Sequence, residues 1–87
     1  MNTEKARAQA REAARLAQEW REQKEEAHRK MAEAARRKGQ PDHLELWFDG
    51  WLQGVRADYW GAHSEERAEA ATRVARLATR LERKRRR

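Results

Sequence analysis

Residues 44–61 read LELWFDGWLQGVRADYWG, and this stretch holds nine of the 16 apolar side chains larger than Ala in the 87-residue chain. It contains three of the four Trp, the only Phe, the only Tyr and three of the four Gly. Both flanks are rich in Ala, Arg and Glu and carry few large apolar residues. The fold therefore depends on how one short apolar segment packs against two long polar arms.

The spacing predicts that this segment forms a helix over residues 42–60, with Asp42 after Pro41 as its N-cap. Four small residues share one face of it: Gly50, Gly54, Ala57 and Gly61. An interior Gly costs about 1 kcal/mol relative to Ala, so this face predicts close approach by another backbone. Aromatic residues at helical spacing are more often core than site. We therefore expect the glycine face and most of the adjoining aromatic face to hold the flanking helices together.

The N-terminal arm predicts a long helix over residues 3–38, capped by Asn2 or Thr3 and ended by Gly39 and Pro41. Its inner stripe follows strict heptad spacing and is mostly Ala: Ala6, Ala10, Ala13, Ala17, Trp20, Lys24, Ala27, Met31 and Ala34. This spacing is typical of a coiled coil and favours antiparallel packing, within the chain or in a dimer. The alternative is a single solvated helix held by ion pairs four residues apart.

The C-terminal arm predicts a third helix over residues 64–84, with Ser64 as N-cap and a basic end at residues 83–87. Its expected inner face comprises Ala70, Ala71, Val74, Leu77, Ala78 and Leu81. Its opposite face carries an arginine stripe: Arg73, Arg76, Arg80, Arg83 and Arg87. The expected fold is a single all-α domain over residues 1–87, an elongated three-helix bundle or helical hairpin, with a homodimer formed through the long helix.

Composition excludes several classes of protein. The chain has no Cys, so disulfides and thiolate zinc sites are excluded, and no apolar run approaches the ~18 residues of a membrane span. No hydrophobic signal core follows the N-terminus, so we expect a cytoplasmic protein. Its Arg and Ala usage resembles that of high-GC bacteria, their phages and plasmids. The three His are scattered and no catalytic motif occurs, so we expect no enzyme activity, no cofactor and no metal site.

Charge is unevenly distributed. Residues 1–38 carry a net charge of +4, residues 39–61 carry −3 and residues 62–87 carry +5. A row of guanidinium groups can follow a phosphate backbone, with counterion release driving the binding. The sequence thus predicts a non-enzymatic protein that contacts nucleic acid or a ribonucleoprotein through the stripe on the third helix. Three arginines of the first helix are expected to extend this surface: Arg7, Arg11 and Arg15. A plain solvated face and pairing with an acidic protein are the alternatives.

A second functional hypothesis is a protein-binding inhibitor or accessory subunit, of the kind that phages and plasmids encode. Its anchors would be Trp60, Trp51 and Asp58, since aromatic residues dominate binding hot spots. Asp58 has a structural alternative, because a carboxylate beside an aromatic face can accept a hydrogen bond from a Trp indole N–H or pair with an Arg of a neighbouring helix. A third hypothesis is a structural subunit that acts only by assembling.

Overall fold

In the computed structural model, which describes residues 2–86, the chain forms a helical hairpin. Helix α1 spans Thr3–Arg36, helix α2 spans His43–Arg85, and residues 37–42 connect them. The two helices lie side by side in opposite directions, and the molecule measures 70 × 15 × 13 Å. The all-α expectation is confirmed, and of the two expected arrangements the hairpin is the one observed.

The expected division of residues 42–84 into two helices is wrong. Residues 61–64 are helical, so the predicted helices over residues 42–60 and 64–84 are one continuous α2. Gly61 faces α1, where the position of an added Cβ lies 3.5 Å from the Cβ of Trp20. Ser64 is half-buried inside α2 and caps no helix. A single Gly costs an α-helix only about 1 kcal/mol, and packing along α1 offsets that cost.

The ends of α1 lie close to where the sequence places them. The side chain of Asn2 accepts hydrogen bonds from the backbone N–H groups of Glu4 and Lys5 at 3.0 and 3.2 Å. The helix ends at Arg36, two residues earlier than predicted, and Gly39 adopts the left-handed conformation with φ +93°. This conformation suits Gly because it has no Cβ.

The connection between the helices is held by side chains. The Asp42 carboxylate makes no capping hydrogen bond to α2, contrary to expectation, and instead pairs with the Arg37 guanidinium at 2.6 Å. The Nδ1 of His43 lies 2.6 Å from the carbonyl oxygen of Ala34. Because a carbonyl only accepts, this nitrogen donates. Both contacts tie the start of α2 to the end of α1.

The Ala seam of α1 packs against small residues of α2, as the glycine face predicts. An added Cβ at Gly50 lies 2.8 Å from the Cγ of Met31 and 3.1 Å from the carbonyl oxygen of Ala27. At Gly54 the same atom lies 3.6 Å from the Cβ of Ala27, an ordinary contact. Among the glycines of α2, Gly50 therefore has the closest contact with α1, and this contact helps to fix the register of the hairpin.

The core consists of small side chains. The buried hydrophobic residues of residues 2–86 are all alanines: Ala6, Ala17, Ala27, Ala34, Ala57, Ala75 and Ala78. Large apolar residues of α2 stay outside it, including Phe48 at 51% and Tyr59 at 69% exposure. The expectation that the aromatic face joins the helices is therefore wrong. An Ala side chain is too short to cover aromatic rings on a neighbouring helix.

The predicted inner face of the C-terminal arm is wrong in part. Ala78 is buried, as predicted, but Val74, Leu77 and Leu81 are 43–49% exposed, and Ala75, which was not predicted on this face, is buried. Because α2 is continuous, the side that meets α1 is already determined at Gly50. Further along α2, small residues occupy the positions on this side, and the large apolar residues point away from α1.

Candidate nucleic-acid interface

The structure brings arginines from both helices to one groove near the open end of the hairpin. We call this the basic groove, and it encloses about 470 Å³. Its walls carry two arginines of α1 and three of α2: Arg7, Arg11, Arg76, Arg80 and Arg83. The floor consists of small residues of the seam and of α2: Ala10, Thr72, Ala75 and Thr79. All five arginines are among those that the sequence singled out.

The floor of the basic groove holds one arginine in place. The Thr79 hydroxyl donates to the carbonyl oxygen of Ala75 at 2.9 Å and accepts from the Nη2 of Arg7 at 3.2 Å. The sequence analysis did not single out Thr79. Its position could have pointed to it, because Thr79 lies one turn beyond Ala75 and directly before Arg80, on the side of α2 that meets α1.

The basic groove itself contains no ion pair. No carboxylate lines it, and within residues 2–86 none of its five arginines has an ion-pair partner within 4.0 Å. Carboxylates do lie nearby, because Glu82 interacts electrostatically with Arg7, and Arg76 also lines a neighbouring groove that contains Glu65 and Glu69. Guanidinium groups offer planar forks of N–H donors that match phosphate oxygens. The groove can therefore receive an anion without first losing internal ion pairs.

Other predicted phosphate-contacting residues lie elsewhere. Arg15 pairs with Glu12 at 2.5 Å and with Glu19, and these carboxylates raise its pKa, Glu12 contributing most. Arg73 lines a neighbouring groove that also contains Glu65 and Glu69. Arg87 lies outside the described residues. Arg76 lines both the basic groove and the groove that contains Glu65 and Glu69, whereas Arg80 and Arg83 line the basic groove.

The three expected protein-binding residues do not form one surface. Trp51 stacks on Trp47 with ring centroids 6.4 Å apart, and Trp60 packs edge-on against Tyr59 at 5.0 Å. Trp51 and Trp60 are nine residues apart, about two and a half helical turns, so they point to opposite flanks of α2. Both remain exposed, at 43% and 48%.

Asp58 takes part in a contact between the helices. Its carboxylate lies 2.6 Å from the Nζ of Lys24, a seam position of α1. The hydrogen bond to Asp58 raises the pKa of Lys24, and the nearby negative charges add to this effect. The structural alternative anticipated an ion pair with a neighbouring helix, but the partner is a lysine and not the expected arginine. The Lys24–Asp58 pair also explains a lysine in an otherwise small and apolar seam.

No protein-family model, curated protein or solved structure matches this chain. Within residues 2–86, neither helix has an apolar stretch long enough to cross a membrane. The same residues contain no group of three or more His, Asp or Glu side chains placed to hold a metal ion. Functional inference therefore rests on the surface of the hairpin itself.

Proposed function

We propose that this protein is a non-enzymatic binding protein that contacts the phosphate backbone of nucleic acid, free or within a ribonucleoprotein, through the basic groove. The observation that carries the proposal is the convergence of five arginines from two helices on one groove that no carboxylate lines. On an Ala- and Glu-rich hairpin, solvated arginines are expected to pair with glutamates, as Arg15 does. The arginines of the basic groove make no such pairs, and no carboxylate lines the groove.

Binding through this groove would be mainly electrostatic. Each phosphate neutralised releases condensed counterions, so affinity falls as salt rises, with a log–log slope of about 0.9 per phosphate on duplex DNA. The small floor residues offer few hydrogen-bonding groups for reading bases. We therefore expect weak dependence on nucleotide sequence and a strong dependence on salt.

The test is a salt titration of binding to labelled duplex DNA, single-stranded DNA and RNA, followed by fluorescence anisotropy. The variant Arg76→Ala/Arg80→Ala should weaken binding and reduce the salt slope by about 2, since each lost phosphate contact removes about 1. The three nucleic acids distinguish the possible sources of the phosphate backbone.

The matched control is Arg29→Ala/Arg56→Ala, which removes two exposed arginines that do not line the basic groove. It loses the same net charge, so it should leave the slope nearly unchanged. Equal effects of the two double variants would mean that overall charge alone drives binding, and the groove assignment would fail. Absence of binding to all three nucleic acids at low salt would overturn the proposal.

A second candidate function is protein binding, as an inhibitor or accessory subunit, and the exposed Trp60 and Trp51 favour it. Asp58 contributes less to this candidate, because its carboxylate already pairs with Lys24. Since the two Trp residues lie on opposite flanks, one partner surface would engage one of them. Trp60→Ala should then abolish capture of a partner while Trp51→Ala spares it, or the reverse.

A further inference from the structure

The side of α2 that faces away from α1 is rich in exposed apolar residues. Nine large apolar side chains on this side and its edges are 41–74% exposed: Leu44, Phe48, Trp51, Leu52, Val55, Tyr59, Val74, Leu77 and Leu81. We call this set the apolar strip. Phe, Tyr and Trp bury about 150–250 Å² each, and the three aromatic residues of the strip are 43–69% exposed. With its six Leu and Val residues, the strip offers several hundred Å² per molecule, the same order as the ~800 Å² that each partner buries in a standard stable interface.

The strip has a symmetric spacing. Its first half places apolar residues at 44, 48, 51 and 55, and its second half places them at 70, 74, 77 and 81. Both sets have the spacing 4-3-4. A two-fold axis between residues 62 and 63 would therefore bring the first set of one chain onto the second set of another. Leu44 would face Leu81, and Phe48 would face Leu77.

Charge favours the same arrangement. Residues 43–61 of α2 carry three acidic side chains and one Arg, whereas residues 62–85 carry seven basic and four acidic ones. Antiparallel pairing of two α2 helices places the acidic half of each against the basic half of the other. Parallel pairing would place the two basic halves together, and like charges repel.

From this spacing, charge and area we infer that the apolar strip is occupied by a second copy of this chain, in an antiparallel two-fold dimer of hairpins. The contact is isologous, as in most homodimers, because the same residues contribute from both chains. It places α2 at the interface. The long helix α1 is less suited, because within residues 2–86 its one large apolar side chain at or above 36% exposure is Leu16. The inference does not depend on nucleic-acid binding.

The first test is the mass in solution, by sedimentation velocity or light scattering, over micromolar to submillimolar concentrations. The full chain has a mass of 10.3 kDa, and the dimer should show twice that mass. Phe48→Glu/Leu77→Glu should yield monomers that remain helical, since both side chains are exposed in the hairpin. Ala8→Glu/Ala14→Glu adds the same charge to exposed positions of α1 and should leave the dimer intact.

Orientation is tested by disulfide crosslinking, which is simple because the chain has no Cys. A mixture of Leu44→Cys and Leu81→Cys chains should form crosslinked heterodimers, and neither variant should crosslink efficiently alone. Self-crosslinking of Leu44→Cys would indicate parallel pairing and overturn the inference. A monomeric mass throughout the concentration range would also overturn it, as would a dimer that survives Phe48→Glu/Leu77→Glu. The inference would also be overturned if a different protein, and not a second copy of this chain, occupied the strip.

Discussion

Gly50 illustrates how one residue sets the geometry of the hairpin. Its missing side chain allows the carbonyl oxygen of Ala27 and the side chain of Met31 to come within van der Waals distance of the α2 backbone. Gly54 lies on the same face, yet an added Cβ there meets only the Cβ of Ala27 at 3.6 Å. The two glycines look equivalent in the sequence, and only one of them is required by packing.

Alanine substitution should therefore have opposite effects at these two positions. Gly50→Ala should destabilise the fold, because overpacking costs about 1–3 kcal/mol and Met31, Lys30 and the Ala27 carbonyl all lie within 3.1 Å of the new atom. Gly54→Ala should stabilise it by about 1 kcal/mol through helix propensity. Urea unfolding followed by circular dichroism, at one fixed protein concentration, measures both changes. Stabilisation by both substitutions would contradict the close approach at Gly50.

At the scale of the elements, the local signals at the two ends of α1 were reliable, whereas the predicted caps Asp42 and Ser64 were not. Asn2 as cap and Gly39 as terminator place the ends of α1 to within two residues, because each acts on its own backbone. Gly61 was correctly placed on the face that meets α1, but the helix was wrongly ended beside it, because Gly is compatible with both a helix end and a helix contact. Which one applies depends on Trp20, 41 residues away in the chain. The exposure of Leu77 and its neighbours could not be predicted for the same reason, because it depends on which side of α2 meets α1.

A proline at position 65 distinguishes a continuous α2 from two separate helices. In two helices with Ser64 as cap, position 65 would be the first helical residue, where Pro is favoured. Inside a continuous helix, Pro costs about 3 kcal/mol or more. We expect Glu65→Pro to lower helicity and the melting temperature strongly. Glu65→Ala is the control, since it loses the same ion pair with Arg21 at 3.2 Å. Similar melting of the two variants would contradict a continuous α2.

At the scale of the whole molecule, part of the candidate site was predictable and part was not. The spacing of Arg76, Arg80 and Arg83 places them on one side of a helix by periodicity alone. Their convergence with Arg7 and Arg11 depends on the register of the hairpin. That register follows from contacts such as Gly50 with Met31, which periodicity within one arm does not determine.

The proposed dimer also makes a prediction about overall shape. The two-fold axis between residues 62 and 63 lies near the middle of His43–Arg85, so the two hairpins would overlap along nearly their whole length. Small-angle scattering should therefore give a maximum dimension close to the 70 Å of one hairpin at twice the mass. A maximum dimension approaching twice that length would indicate end-to-end assembly and contradict side-by-side pairing.

The basic groove has a consequence for the free protein as well as for binding. Its arginines belong to two helices, and no carboxylate lines the groove between them. Their mutual repulsion opposes the contacts that hold the open end together, which include the attraction between Arg7 of α1 and Glu82 of α2. Salt screens such repulsion, and a bound polyanion would replace it with attraction to both helices. A ligand bound in this groove would therefore stabilise the packing of the two helices at the open end.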